Sequence, residues 1–149
     1  MMRLLFLFLL VAFTLLSTTG CDKKTDSQVR KVHFDRDMCA RCAMVVSDRQ
    51  NTVQAINPET GKHYLFDDIG CMVLWFDEEK IPWKDKAVIW VTDVKTGKWI
   101  DARKAFYDTE NITPMAYGFS AHTAKEDIAK EQEIIDYNEV VKRVRAIGR

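Results

Sequence analysis

Two thiols and a thioether fall within six residues in the stretch Met38-Cys39-Ala40-Arg41-Cys42-Ala43-Met44. The Cys39-x-x-Cys42-x-Met44 spacing gathers soft sulfur donors just ahead of Val45-Val46. Thiolate and thioether ligands select copper(I), and a methionine donor argues against zinc. A structural zinc site asks for four Cys or His donors, usually as two close pairs, and the sequence has no second close pair. A thiolate binds tightly but must first lose its proton. A thioether is neutral, binds without deprotonation and cannot be locked into a disulfide. A site that mixes the two holds copper yet can release it, as a carrier must. Two other readings of Cys39 and Cys42 stand beside this one. They can form a structural disulfide in an oxidising compartment. They can also serve as the redox pair of a thiol-disulfide oxidoreductase, because this spacing lowers the first thiol's pKa. Redox pairs of that kind open a helix inside a βαβ pattern, whereas this pair runs into a strand-like segment.

Further donors are scattered along the chain. Met115, in Thr113-Pro114-Met115-Ala116-Tyr117-Gly118-Phe119, sits among turn residues, where ligand and core readings balance. His122 and His33 are candidate imidazole donors, and His63 reads as a surface residue of a hairpin. Cys71 lies on an apolar helical stretch, where a buried, inert thiol is the default, although it remains a possible ligand. Met38 and Met72 carry no assignment. Asp67-Asp68 and Glu78-Glu79 read as a helix cap and a solvated helix end. There is no Gly-rich phosphate loop, nucleophile elbow or paired-His protease motif.

The elements that must position these donors follow from periodicity. Residues 44–56 are strand-like, Asn57 to Gly61 a turn, and residues 62–66 the return strand of a hairpin. Asp67 is placed to cap a helix whose Ile69, Met72, Val73 and Phe76 repeat on one face. Ala87 to Thr92 is a continuous apolar run, expected to be a central strand. The Thr60-Gly61-Lys62 turn is echoed by Thr96-Gly97-Lys98. Beyond it the pattern predicts a short helix over 102–107, a strand within 114–122, a helix over 123–133, a short strand at Ile134-Ile135 and a closing helix over 138–146. The fold class expected is α+β: two small related ββαβ-type units packed as one compact domain.

Composition sets the remaining bounds. The 149 residues suffice for one compact domain, and 47% apolar content with eight Phe and four Trp supplies a core. The 22 basic and 22 acidic residues cancel, so nothing favours a nucleic-acid partner, which needs clustered Lys and Arg. Residues 1–20 form a different kind of segment: Met1-Met2-Arg3, an apolar run from Leu4 to Leu16, then Ser17-Thr18-Thr19-Gly20 before Cys21. The run has the length of a signal-peptide core, not of a spanning helix. Gly20-Cys21 resembles a bacterial lipobox, in which Cys21 becomes the lipidated first residue. Thr18 departs from the aliphatic residue usual three places before the cysteine, and Asp22 resembles an inner-membrane retention signal. Residues 21–31 read as a polar tether and 32–149 as the folded domain. With Cys21 acylated, three thiols remain, an awkward number for a disulfide scaffold.

Phe34 with Cys39-x-x-Cys42-x-Met44, Gly61-Lys62 before a helix bearing Trp75, Trp99-Ile100-Asp101-Ala102, Met115, and Gly118-Phe119 together resemble the NosL family. Its members are periplasmic lipoproteins that act as copper(I) chaperones in assembling nitrous oxide reductase. Their fold of two related ββαβ units is also likened to an organomercurial lyase (MerB-like). The resemblance implies a carrier and not an enzyme, with Cys42 and Met44 the leading copper(I) ligands and Cys39 and Met115 following. It implies a lipid anchor at Cys21 on the periplasmic side of the inner membrane. The implied acceptor is an ABC-type transporter or a copper enzyme, foremost nitrous oxide reductase. Ala43 replaces the glycine usual in this motif, a substitution that costs about 1 kcal/mol if the position needs a positive φ. A non-metal assembly or docking lipoprotein is the remaining alternative.

Overall fold

The structure, a computed structural model, describes residues 27–148. The segment expected to be a signal peptide, Cys21 and the start of the expected tether lie outside the described residues. Among the described residues no helix is long and apolar enough to cross a membrane.

The first hairpin forms where alternation and turn chemistry coincide. β1 (Val53–Ile56) pairs antiparallel with β2 (His63–Phe66), in register Val53 to Phe66. The turn between them is closed by Asn57, whose side-chain oxygen accepts the amides of Glu59 and Thr60. The strand-like run over 44–56 yields only its last four residues to the sheet. Asp48 interrupts it by accepting the Gln50 amide at 2.7 Å and the Asn51 side chain at 2.8 Å, a local bond that competes with strand pairing. β3 (Val88–Thr92) pairs with the other edge of β1 and with β4 (Trp99–Asp101), giving the antiparallel order β2-β1-β3-β4. The apolar run over 87–92 is thus an interior strand, as expected. All four β1 residues are buried, Gln54 among them. Its amide is satisfied by the Arg30 amide and carbonyl at 3.1 and 2.9 Å. With the Trp90 indole donating to the Ser27 carbonyl, this holds residues 27–30 of the polar segment against the sheet.

α1 (Ile69–Glu78) follows β2 directly, and Ile69 to Phe76 are all buried, as befits a helix covered on every side. Its N-cap is Asp68, accepting the Gly70 amide at 2.9 Å, and not Asp67 as the sequence suggested. Trp75 and Phe76 stack with Tyr64, Phe66 and Trp83 in one aromatic cluster, ring centroids 4.7–6.2 Å apart.

The first half therefore runs β1-β2-α1-β3 in the expected order, but the second half does not repeat it. The echo of the turn is nonetheless real. Asp93 accepts the Lys95 and Thr96 amides as Asn57 does at its own turn, and each turn is closed by a glycine amide donating to the first residue's carbonyl. The predicted helix over 102–107 is a turn followed by β5 (Phe106–Asp108). Tyr107 is bonded on one side to β6 (Ser120–His122) and on the other to Ile135, so two-sided pairing overrides local helical pattern. The predicted helix over 123–133 is only a 3₁₀ turn at Lys125–Asp127. That stretch buries Ile128 and little else, too narrow a face to stabilise an α-helix. The predicted strand in 114–122 is confined to β6, because Ala116 and Gly118 adopt positive φ. The closing helix, α2 (Tyr137–Ile147), is capped by Asp136 and packs Val140 and Val144 inward. The molecule is α+β: a four-stranded antiparallel sheet, a two-stranded sheet and two helices.

Candidate metal centre

The Cys39–Met44 segment is the loop of a miniature hairpin. Met38 bridges Val45, the Cys39 amide donates to the Met44 carbonyl at 2.8 Å, and the Ala43 amide donates to the Cys39 carbonyl at 3.1 Å. Closing so tight a loop requires a left-handed residue, and Ala43 takes it with φ of 55°. The loop is docked on β2 by the Ala40 amide donating to the Leu65 carbonyl at 2.8 Å. β2 then leads through Asp67 and Asp68 into α1, whose first turn carries Cys71. This connection brings Cys71 to the pair: the sulfurs of Cys39, Cys42 and Cys71 all lie within 4.8 Å of one another. All three thiols are free.

Cys39 and Cys71 are buried, at 2% and 0% exposure, while Cys42 is half-buried. The Cys71 thiol donates to the Cys39 sulfur and is the largest influence that pulls the Cys39 pKa down to about 5. The amides of Cys42, Asp67 and Arg41 assist, and burial opposes. Cys71 is pushed up in turn by its hydrogen bond to the Cys39 sulfur and by burial. Cys42 is raised, chiefly by burial. Of the three thiols, Cys39 is therefore the one most readily ionised. Tri-sulfur sites of this kind suit soft monovalent metals.

Two ties fix the segments around the thiols. The Arg41 guanidinium, between the two loop cysteines, makes paired bonds of 2.9 and 2.8 Å to Glu78 at the far end of α1, and a third of 3.2 Å to the Tyr117 hydroxyl. Such a forked pair is directional as well as strong. The Tyr117 ring lies flat against the backbone of Gly70, where a Cβ would sit 2.2 Å from ring carbons. Glycine inside α1 is therefore a packing requirement.

Met44 projects from the same loop and is half-exposed at 50%. Met115 is half-buried on the loop that passes the N-terminus of α1, its amide donating to Asp68 Oδ2 at 3.2 Å. His122 is elsewhere, buried in β6 with Nε2 2.9 Å from Asp108 Oδ2. His33 is exposed beside Asp37, and His63 pairs with Gln54; neither they nor His122 join the thiol cluster. Asp67, expected as a cap, is instead buried behind Cys39, raised by that burial, with Oδ1 unpartnered. Cys71 is buried as its helical context suggested, but its position beside the pair was not foreseen. The signal was available only as the proximity of Phe66-Asp67-Asp68 to the loop, which no local pattern reveals.

No curated protein sequence matches the chain. Among solved structures, the copper chaperone NosL from Shewanella denitrificans superposes with a TM-score of 0.62 at 14% identity, covering 76% of this chain and 95% of that one. The two share a fold. The NosL family model matches residues 31–132, which span the thiol-bearing loop, the sheet, α1 and the Met115 loop, and the chain belongs to the NosL family.

Proposed function

We propose that this protein is a copper(I) carrier of the cell envelope, not an enzyme, which holds one cuprous ion among clustered sulfurs and surrenders it to an acceptor. The observation that carries this reading is the convergence of three free thiols within 4.8 Å in a NosL-family chain. Cys39, Cys42 and Cys71 are the thiol donors, with Met44 and Met115 as thioethers from flanking segments. Cys39 is the thiol most readily ionised, while Cys42 and Cys71, both raised, release their protons as the metal binds. Met44, exposed at the loop's edge, is the donor an acceptor meets first. Cys21 supplies a lipid anchor facing the periplasm, and the acceptor is an ABC-type transporter or a copper enzyme, foremost nitrous oxide reductase. The solved NosL relative is itself described as a copper chaperone.

Anaerobic titration of the reduced protein with a cuprous complex, against a competing cuprous chelator, tests the site. A single tightly held ion is expected, with Cys42→Ser or Met44→Leu weakening it by about tenfold or more. Wild-type affinity in both variants would place the copper elsewhere. The lowered pKa of Cys39 also favours a thiol-disulfide oxidoreductase. The pair lies in a hairpin loop and not at a helix N-terminus, however, and a third thiol stands beside it. Insulin-reduction turnover abolished by Cys39→Ser would favour that second reading over the carrier.

A further inference from the structure

Asp68 does more than cap a helix. An N-cap needs one side-chain oxygen, and Oδ1 fills that role toward the Gly70 amide at 2.9 Å. Oδ2 is given wholly to a different segment: it accepts the Thr113 hydroxyl at 2.6 Å and the Met115 amide at 3.2 Å. Thr113 in turn accepts the Gly118 amide at 3.1 Å and, through its carbonyl, the Ala116 amide at 2.9 Å. The Asn111 amide closes the loop onto the Gly118 carbonyl. The carboxylate is fully buried, and a buried charge-bearing group is costly unless its oxygens are satisfied. A neutral cap such as Ser or Asn would hold α1 without that cost. The second oxygen adds a fixed place for the loop from Thr113 onward, and with it Met115, at the turn of α1 that carries Cys71.

We propose that Asp68 is the positioning residue of the metal centre, setting the Met115 thioether against the thiols by holding its backbone to the N-terminus of α1. The inference rests on the carrier reading above and specifies how one donor of that site is delivered. It makes the Met115 donor separable from the helix cap. In Asp68→Asn the amide oxygen keeps the cap, because Asn caps as well as Asp, and the NH₂ group can still meet the Thr113 hydroxyl. It cannot accept from the Met115 amide, which is left facing another donor.

The experiment compares wild type, Asp68→Asn, Thr113→Val, Met115→Leu and the Asp68→Asn/Met115→Leu double variant. In the metal-free proteins, hydrogen exchange at the Met115 amide is expected to quicken about tenfold in Asp68→Asn while the Gly70 amide stays protected. With cuprous ion supplied, Asp68→Asn and Thr113→Val should each lower affinity about tenfold. X-ray absorption should lose one sulfur in Asp68→Asn, as in Met115→Leu, and the double variant should bind no more weakly than Met115→Leu alone. Unchanged affinity in Asp68→Asn beside weakened binding in Met115→Leu overturns the positioning role and leaves the carrier site standing. Additive losses in the double variant overturn it too, because Asp68 would then act independently of the thioether. Wild-type affinity in Met115→Leu removes Met115 from the ligand set and the inference with it. Thr113→Val removes the other hydrogen bond to Oδ2 from the loop side, so a misfolded Asp68→Asn does not leave the question open.

Discussion

Cys39 gets its character from a neighbour 32 positions away in sequence, Cys71, and not from the Cys-x-x-Cys spacing alone. The thiol of Cys71 donates to the Cys39 sulfur and stabilises its charged form, while that same bond and burial hold Cys71 protonated. A group with a depressed pKa is charged above that value, so Cys39 is a thiolate from about pH 5 upward. Titration of the reduced, metal-free protein, followed by thiolate ultraviolet absorbance, should show a one-thiolate step near that pH. Cys71→Ala deletes the largest cause, and the step should move up toward the ordinary thiol range of about 8.5. A step that stays put in Cys71→Ala would assign the depression to the surrounding amides. At this scale the sequence was half legible. The Cys39-x-x-Cys42 pair announced itself, but Cys71 sits in the uniformly apolar stretch Ile69 to Phe76, where a thiol is indistinguishable from packing. Only the docking of the loop on β2 reveals the third sulfur.

Elements whose fate is set by local chemistry were readable, and those set by long-range pairing were not. The Asn57–Gly61 turn, β2, α1, β3 and the closing helix follow from turn residues and apolar periodicity. β5 does not: Phe106 and Tyr107 sit in a helix-like context and become a strand because β6 and Ile135 flank them. The metal loop lies between these cases. Its composition named it, while its hairpin geometry depends on a residue that pays no regard to propensity. Ala43 stands at φ 55°, a region that costs a residue with a Cβ roughly 1–2 kcal/mol. Ala43→Gly removes that strain, partly offset by the greater freedom of glycine in the unfolded chain. The metal-free variant should gain about 0.5–1 kcal/mol in chemical denaturation at unchanged m-value. A loss of stability would show that the loop relaxes away from the left-handed conformation in solution.

Across the whole molecule, the proposed donors come from three chain segments far apart in sequence: the 39–44 hairpin, the first turn of α1 and the 113–118 loop. In the metal-free protein polar ties hold these segments together, among them Ala40 to Leu65, Arg41 to Glu78 and Tyr117, and Asp68 to Thr113 and Met115. The Arg41–Glu78 pair is forked but half open to solvent on the Glu78 side, so salt screens part of its strength. A metal bridging the thiol cluster would add a further link between the 39–44 hairpin and α1. An unfolded chain scatters the same sulfurs and binds the ion more weakly, so copper must stabilise the native state by mass action. At free cuprous ion a hundred times Kd the gain is about 2.7 kcal/mol, roughly 10 °C in Tm for a domain of this size. The increment should shrink in Cys71→Ala, which removes the helix-borne donor, while silver(I), of the same charge and softness, should reproduce it in the wild type. Saturating copper that leaves Tm unmoved would mean that the ion binds the unfolded chain as well as the native centre. Release to an acceptor would then require no loosening of these three segments, whereas a large shift makes their separation the barrier that a docking partner must lower.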